Sequence, residues 1–183
     1  MVVGIIVAVV IIVILVVVIG LYNNLVKLRN RVDNAWAQID VQLQRRQDLI
    51  PNLVETVKGY AGHESGTLQA VTEARAAVSR ATTPQDKMQA EGVLTSALRG
   101  LFAVAEAYPE LKANANFQQL QAQLAETEDK ISYMRQSYND TVMNYSTAIQ
   151  TFPAVLLAGA LGFTARPSFD ADAGAEVAPK VQF

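Results

Sequence analysis

Arg46 is a charged side chain on an otherwise apolar helical stripe: Val32, Trp36, Ile39, Leu43, Arg46, Ile50, Leu53, Val57 and Tyr60. A guanidinium in such a place needs a carboxylate, because a buried charge without a partner is strongly destabilising. Glu106 and Glu128 are the carboxylates expected to supply it from other helices. With Tyr138 they form the one cluster in the sequence that could relay a proton or clamp a ligand. The weightier reading is a register pair, a polar contact that stops helices from sliding past one another. No nucleophile with a base beside it accompanies these residues, so no catalytic residue is nominated.

Other chemistry has little material. Cysteine is absent, which removes thiolate nucleophiles and cysteine-based metal sites. His63-Glu64 begins like a zinc-binding HExxH motif, but Thr67 stands where the second histidine is needed. No metal site and no cofactor are therefore expected. A net charge of −2 gives no basic field, so nucleic acid is not an expected partner. Asn139-Asp140-Thr141 and Asn144-Tyr145-Ser146 match the glycosylation pattern, but both fall inside the best-defined helix and are read as accidental.

The elements that must position these groups are helices. Residues 2–21 carry no charged or hydrogen-bonding side chain. Twenty helical residues rise about 30 Å, the thickness of a bilayer's hydrocarbon core. Many are Val or Ile, yet lipid offers no partner to an open backbone, so a helix is expected. Residues 1–22 are read as a retained transmembrane anchor, not a cleaved signal peptide, since no basic stretch precedes the run and no small-x-small site follows it. Lys27, Arg29 and Arg31 follow closely. The excess of positive charge on that side predicts an outside amino terminus and a cytoplasmic remainder.

Residues 23–151 read as heptads. The stripe through Arg46 keeps its phase across Pro51, which predicts one kinked helix with Gly62 as its stop. A second helix is expected over residues 65–80. Thr83-Pro84-Gln85-Asp86 then opens a third, with Thr as cap, Pro in the first turn and Asp back-bonding. Its apolar positions are Met88, Leu94, Leu98, Leu101, Phe102 and Ala105, and it ends before Pro109. Asn114 or Asn116 caps the last helix. Its seam is Phe117, Leu120, Leu124, Thr127, Ile131, Met134, Tyr138, Thr141, Tyr145, Ala148 and Phe152. The fold class is all-α: a transmembrane helix followed by a long antiparallel four-helix bundle with coiled-coil-like packing. Short links favour up-down-up-down order over two middle helices set end to end.

Tyr22-Asn23, Ala35-Trp36, Ile39-Asp40-Val41-Gln42-Leu43 and residues 45–54 (RRQDLIPNLV) together resemble the LemA family. So do Lys58-Gly59-Tyr60-Ala61, His63-Glu64, residues 106–112 (EAYPELK), Arg135, Tyr138-Asn139, Tyr145 and Phe152-Pro153. The resemblance covers nearly the whole chain, in family order. It implies a bacterial membrane protein with an antiparallel helical bundle, and it implies no established biochemical activity.

Residues 152–163, FPAVLLAGALGF, are too few to span a bilayer and too apolar for a loop. Phe152, Val155, Leu156, Leu157, Leu161 and Phe163 are its candidate contacts. Three fates stay open: capping their own bundle, lying on the membrane surface, or docking on a neighbouring subunit. Residues 164–183 have no apolar period and read as mostly irregular, with Val181 and Phe183 as a candidate extended contact. The expected function is a structural scaffold that self-associates at the bacterial cytoplasmic membrane. The alternative is an adaptor or sensor that binds a membrane protease or signalling protein through its bundle surface or tail.

Overall fold

The computed structural model describes residues 1–169. Its elements are α1 (Val2–Lys58), α2 (Ser65–Arg80), α3 (Pro84–Ala105), α4 (Pro109–Lys112), α5 (Ala115–Gln150) and α6 (Val155–Ala158). The described residues contain no strand. They divide into two compact units: Met1–Trp36 with the chain from Gln136 onward, and Ala37–Arg135.

In the unit Ala37–Arg135, four helical segments run up, down, up and down. Gln47 of α1 meets Arg75 and Ser79 at the far end of α2, so α2 runs against α1. Asp40 meets Lys87, and Arg46 meets Glu91 and Thr95, so α3 runs with α1. Phe102 packs edge-on against Phe117 at 6.3 Å, while Arg46 reaches Glu128, so α5 runs against both. The alternative of two middle helices end to end is thereby replaced by reversal at residues 81–83.

Local chemistry explains the boundaries. Thr83 Oγ1 accepts the amide of Asp86 at 3.1 Å, and Pro84 opens α3 where its missing N–H costs nothing. Asn114 Oδ1 accepts the amide of Phe117 at 3.0 Å and caps α5. α1 ends at Lys58, and a tightened turn carries the chain on to Ala61, whose amide still reaches Val57 O at 2.8 Å. That turn breaks the heptad phase, so Ala61 is buried and Tyr60 is exposed.

The core of this unit follows the expected seams. Ile50, Leu53 and Val57 of α1 meet Leu68, Val71, Ala74 and Val78 of α2, and Leu94, Leu98, Leu101 and Ala105 of α3. α1 passes through Pro51 as one helix and includes the apolar run at residues 2–21. It is a helix long and apolar enough to cross a membrane, and its most apolar stretch is not buried within the protein.

The other unit is built on residues 2–36 of α1 and 136–150 of α5, running antiparallel, with a third segment laid beside them. Trp36 packs edge-on against Tyr138 at 5.8 Å. After α5 the chain turns through α6 and comes back: Phe163 sits against Tyr22, Arg166 pairs with Asp33 at 3.1 Å, and Phe169 stacks on Trp36. This return changes the α5 seam beyond Tyr138. Val142 and Ile149 are buried where Thr141 and Ala148 were expected, and Phe152 at the end of the seam is exposed. An α-helix drifts about 20° per heptad, and a third packing partner widens the buried face.

Candidate functional site

Arg46 is the centre of a buried polar cluster. Its Nη1 lies 3.2 Å from Glu91 Oε2 and 2.9 Å from Glu128 Oε2, and its Nη2 donates to Thr95 Oγ1 at 2.8 Å. The expected partner Glu106 lies elsewhere: it is exposed beyond the end of α3 and pairs with Lys112. The place assigned to it belongs to Glu91. The signal for Glu91 is in the spacing, because residues 91, 94, 98, 101 and 105 step by three and four and form the buried face of α3. A carboxylate on that seam faces the guanidinium on the seam of α1.

Burial pushes the Glu91 carboxyl up to about 7, against the pull of Arg46, Arg135 and Lys87. Glu128 adds to the rise by repelling a second negative charge. Glu91 Oε1 is buried with no hydrogen-bond partner, which adds to the cost of charging the carboxyl. A cavity of about 260 Å³ opens beside the cluster, lined by Arg46, Thr95, Leu98, Phe102, Leu124 and Glu128. Among the described residues no group of three or more His, Asp or Glu could hold a metal. With a guanidinium, two carboxyls and a hydroxyl, the cluster can hold a proton and fix helix register.

His63 is exposed, while the neighbouring Glu64 accepts from the Tyr108 hydroxyl at 3.2 Å. Asn139 belongs to the return segment's anchorage: its amide nitrogen donates to Phe169 O at 3.0 Å, and its oxygen accepts the Phe169 amide at 2.9 Å. Beside it the Tyr138 hydroxyl donates to Pro167 O at 2.8 Å. Arg29 lies 5.2 Å above the Phe163 ring. Of the six apolar candidates in residues 152–163, Phe163 is buried and Leu157 half-buried, whereas Phe152, Val155, Leu156 and Leu161 face out. Val181 and Phe183 lie outside the described residues.

These features meet a direct comparison. A LemA family model matches residues 35–183. The chain belongs to the LemA family. Protein LemA of Metamycoplasma hominis is 27% identical over 138 residues, which cover 73% of this chain and 62% of the relative. Magnetosome protein MamQ 2 of Paramagnetospirillum magneticum is 24% identical over 168 residues, covering 78% of this chain and 62% of the relative. Magnetosome protein MamQ of Magnetospirillum gryphiswaldense matches to the same extent. The chain thus spans 62% of the length of these curated relatives. None of their names specifies a reaction. Within this LemA family chain, the motif residues fall into physical roles: Arg46 in the buried cluster, Pro51 at the α1–α2 contact, and Tyr138-Asn139 under the returning segment.

Proposed function

We propose that this LemA family protein is a membrane-anchored scaffold whose copies associate with one another at the bacterial cytoplasmic membrane. The observation that carries this reading is α1 itself, one uninterrupted helix from Val2 to Lys58 that holds both the apolar run and the first seam of the bundle. A single element of that kind serves lipid with one stretch and helix packing with the next. The polar cluster supports the reading from the other side. Arg46 is engaged by two carboxylates and a hydroxyl of the same unit, an arrangement suited to holding helices in register. Lys27, Arg29 and Arg31 favour a bundle on the cytoplasmic side.

Sedimentation velocity of the full chain in mild detergent tests the scaffold reading. Species well above the 19.8 kDa of one chain, after correction for bound detergent, are expected at micromolar concentration. A single monomeric boundary at that concentration contradicts it.

A further inference from the structure

The segment after α5 presents its apolar residues in the wrong direction for a soluble protein. Ala154, Ala158 and Phe163 turn inward and are buried. Phe152 is 80% exposed, Leu156 70%, Val155 49% and Leu161 38%. Phe152 stands in the turn that leads into α6, and Val155 and Leu156 in the first turn of α6, so these three exposed apolar side chains fall within five consecutive residues and are not scattered. Twelve residues cannot span a bilayer, and the chain turns back on itself. Gly162 makes that reversal. Its φ is +76°, its amide reaches Gly159 O at 3.1 Å, and the Phe163 amide reaches Ala158 O at 2.9 Å. This is the paired bonding of a helix stop that requires a left-handed residue, and glycine takes that conformation without strain.

The reversal sets the height of the patch. Phe163 packs against Tyr22 at 5.6 Å and under Arg29 at 5.2 Å. Tyr22 is the first residue after the apolar run, and Arg29 lies about 10 Å further along the helix axis. That interval begins at the edge of the hydrocarbon core and crosses the headgroup layer, which occupies roughly 5–8 Å on each side. The charge at this end matches a membrane too. Residues 1–32 contain Lys27, Arg29 and Arg31 and no Asp or Glu, while Arg166 is engaged with Asp33. Basic side chains within a Debye length of an anionic surface are drawn to it.

We propose that the exposed apolar face of residues 152–161 seats in the bilayer at the boundary between acyl chains and headgroups. It does so in the leaflet from which α1 emerges, with Lys27 and Arg31 against anionic headgroups. The protein then holds lipid at two points, the span and the re-entering segment, and α1 is restrained from rotating about its own axis. This inference rests on the anchor reading of α1, so the test reports on both.

The chain has no cysteine, so single sites can be labelled cleanly. Val10→Cys, Leu156→Cys and Met143→Cys each receive a nitroxide in the full chain. The chain is reconstituted in vesicles of phosphatidylcholine with phosphatidylglycerol. Met143 is 61% exposed on α5 and serves as the water-facing reference. Relaxation by oxygen, which concentrates in lipid, is compared with relaxation by a water-soluble nickel chelate. At Leu156 and Val10 the oxygen-to-nickel ratio is expected to exceed that at Met143 several-fold. Phe152→Cys serves as a second reporter of the same face, and circular dichroism confirms that each variant retains its helix. A high ratio at Val10 with a Met143-like ratio at both Leu156 and Phe152 overturns the proposal and leaves the anchor standing. A low ratio at Val10 overturns the anchor itself. Shielding of Leu156 from both reagents, with dipolar broadening that vanishes on dilution with unlabelled chain, assigns the face to a second copy and also overturns the proposal.

Discussion

Arg75 of α2 donates its Nε–H to the main-chain carbonyl of Gln47, 3.0 Å away in α1. Inside a helix that carbonyl would accept the amide of residue 51, but residue 51 is proline and has none. The guanidinium fills the vacancy, and Ser79 adds a bond to the Gln47 side chain at 3.0 Å. Proline at this point therefore creates a docking acceptor for the neighbouring helix. Arg75→Ala should lower stability by about 1–3 kcal/mol, the range for a hydrogen bond from a charged donor. In a Pro51→Ala background the substituted residue brings an amide that can bond the Gln47 carbonyl itself, so the same change should cost clearly less. Chemical denaturation of the four members of this cycle in detergent measures the coupling. Equal losses in both backgrounds would show that Arg75 does not compensate for Pro51.

The Glu91 carboxyl gives stability a pH dependence. Folding raises its pKa from 4.5 to about 7, so between those values the folded state holds a proton that the unfolded state releases. Its contribution is complete below about pH 4.5 and is lost as pH rises through 7. The loss is on the order of 3 kcal/mol. Glu91→Gln should flatten that part of the profile. Thermal midpoints collected from pH 5 to pH 8 for both proteins check this, and an unchanged slope in the variant would assign the dependence to another group.

Removing Arg46 alone should be worse than removing the cluster. Arg46→Met leaves Glu128 without its closest cation and Glu91 without its hydrogen-bond donor, at a cost of about 3–5 kcal/mol. Arg46→Met combined with Glu91→Leu should recover a large part of that loss, because apolar residues of similar volume replace a buried pair at little net cost. With the register contact gone, the double variant should be stable and yet heterogeneous in size on gel filtration. A stable and uniform double variant would remove the register role.

Most of the helical plan was legible because apolar spacing states it directly. Ser65–Arg80 matches the expected second helix, and the Thr83 cap with Pro84 marks the start of α3. Arg46 stands out for the same reason: a charge on an apolar stripe is visible without coordinates. Its partner Glu91 keeps the α3 rhythm of Leu94, Leu98, Leu101 and Ala105, whereas Glu106, the carboxylate expected there, falls one residue off it. The return of residues 163–169 along α1 was illegible for a different cause. An irregular segment carries no period, and its attachments include an Asn139 side chain bonding to backbone, the Tyr138 hydroxyl on Pro167 O and the Phe169 ring on Trp36. Such contacts leave no pattern in the sequence. The drift of the α5 seam to Val142 and Ile149 follows from that unseen third partner.

The return segment should detach when its ties are cut. Asn139→Ala removes both hydrogen bonds to Phe169 and should cost about 1–3 kcal/mol locally. Gly162→Ala forces an L side chain into the left-handed region, at roughly 1–2 kcal/mol. Each variant should expose residues 164–169 to protease several-fold faster than the unsubstituted chain, with the bundle core unaffected. Limited proteolysis read by mass spectrometry checks this, and unchanged cleavage would show that neither residue holds the segment.

The basic residues after the apolar run predict sidedness. A single cysteine placed at exposed Asn30, in an otherwise cysteine-free chain, should resist a membrane-impermeant maleimide in intact cells and react after permeabilisation. Full reaction in intact cells would place the bundle on the opposite side.

The claim that copies assemble in the membrane is tested most directly by counting them there. Full-length protein extracted with its surrounding lipid into polymer-bounded discs, without detergent, can be weighed particle by particle by mass photometry, with empty discs as reference. The account predicts discrete populations heavier than one chain plus its disc. A single population at one chain per disc, at native expression levels, would contradict it.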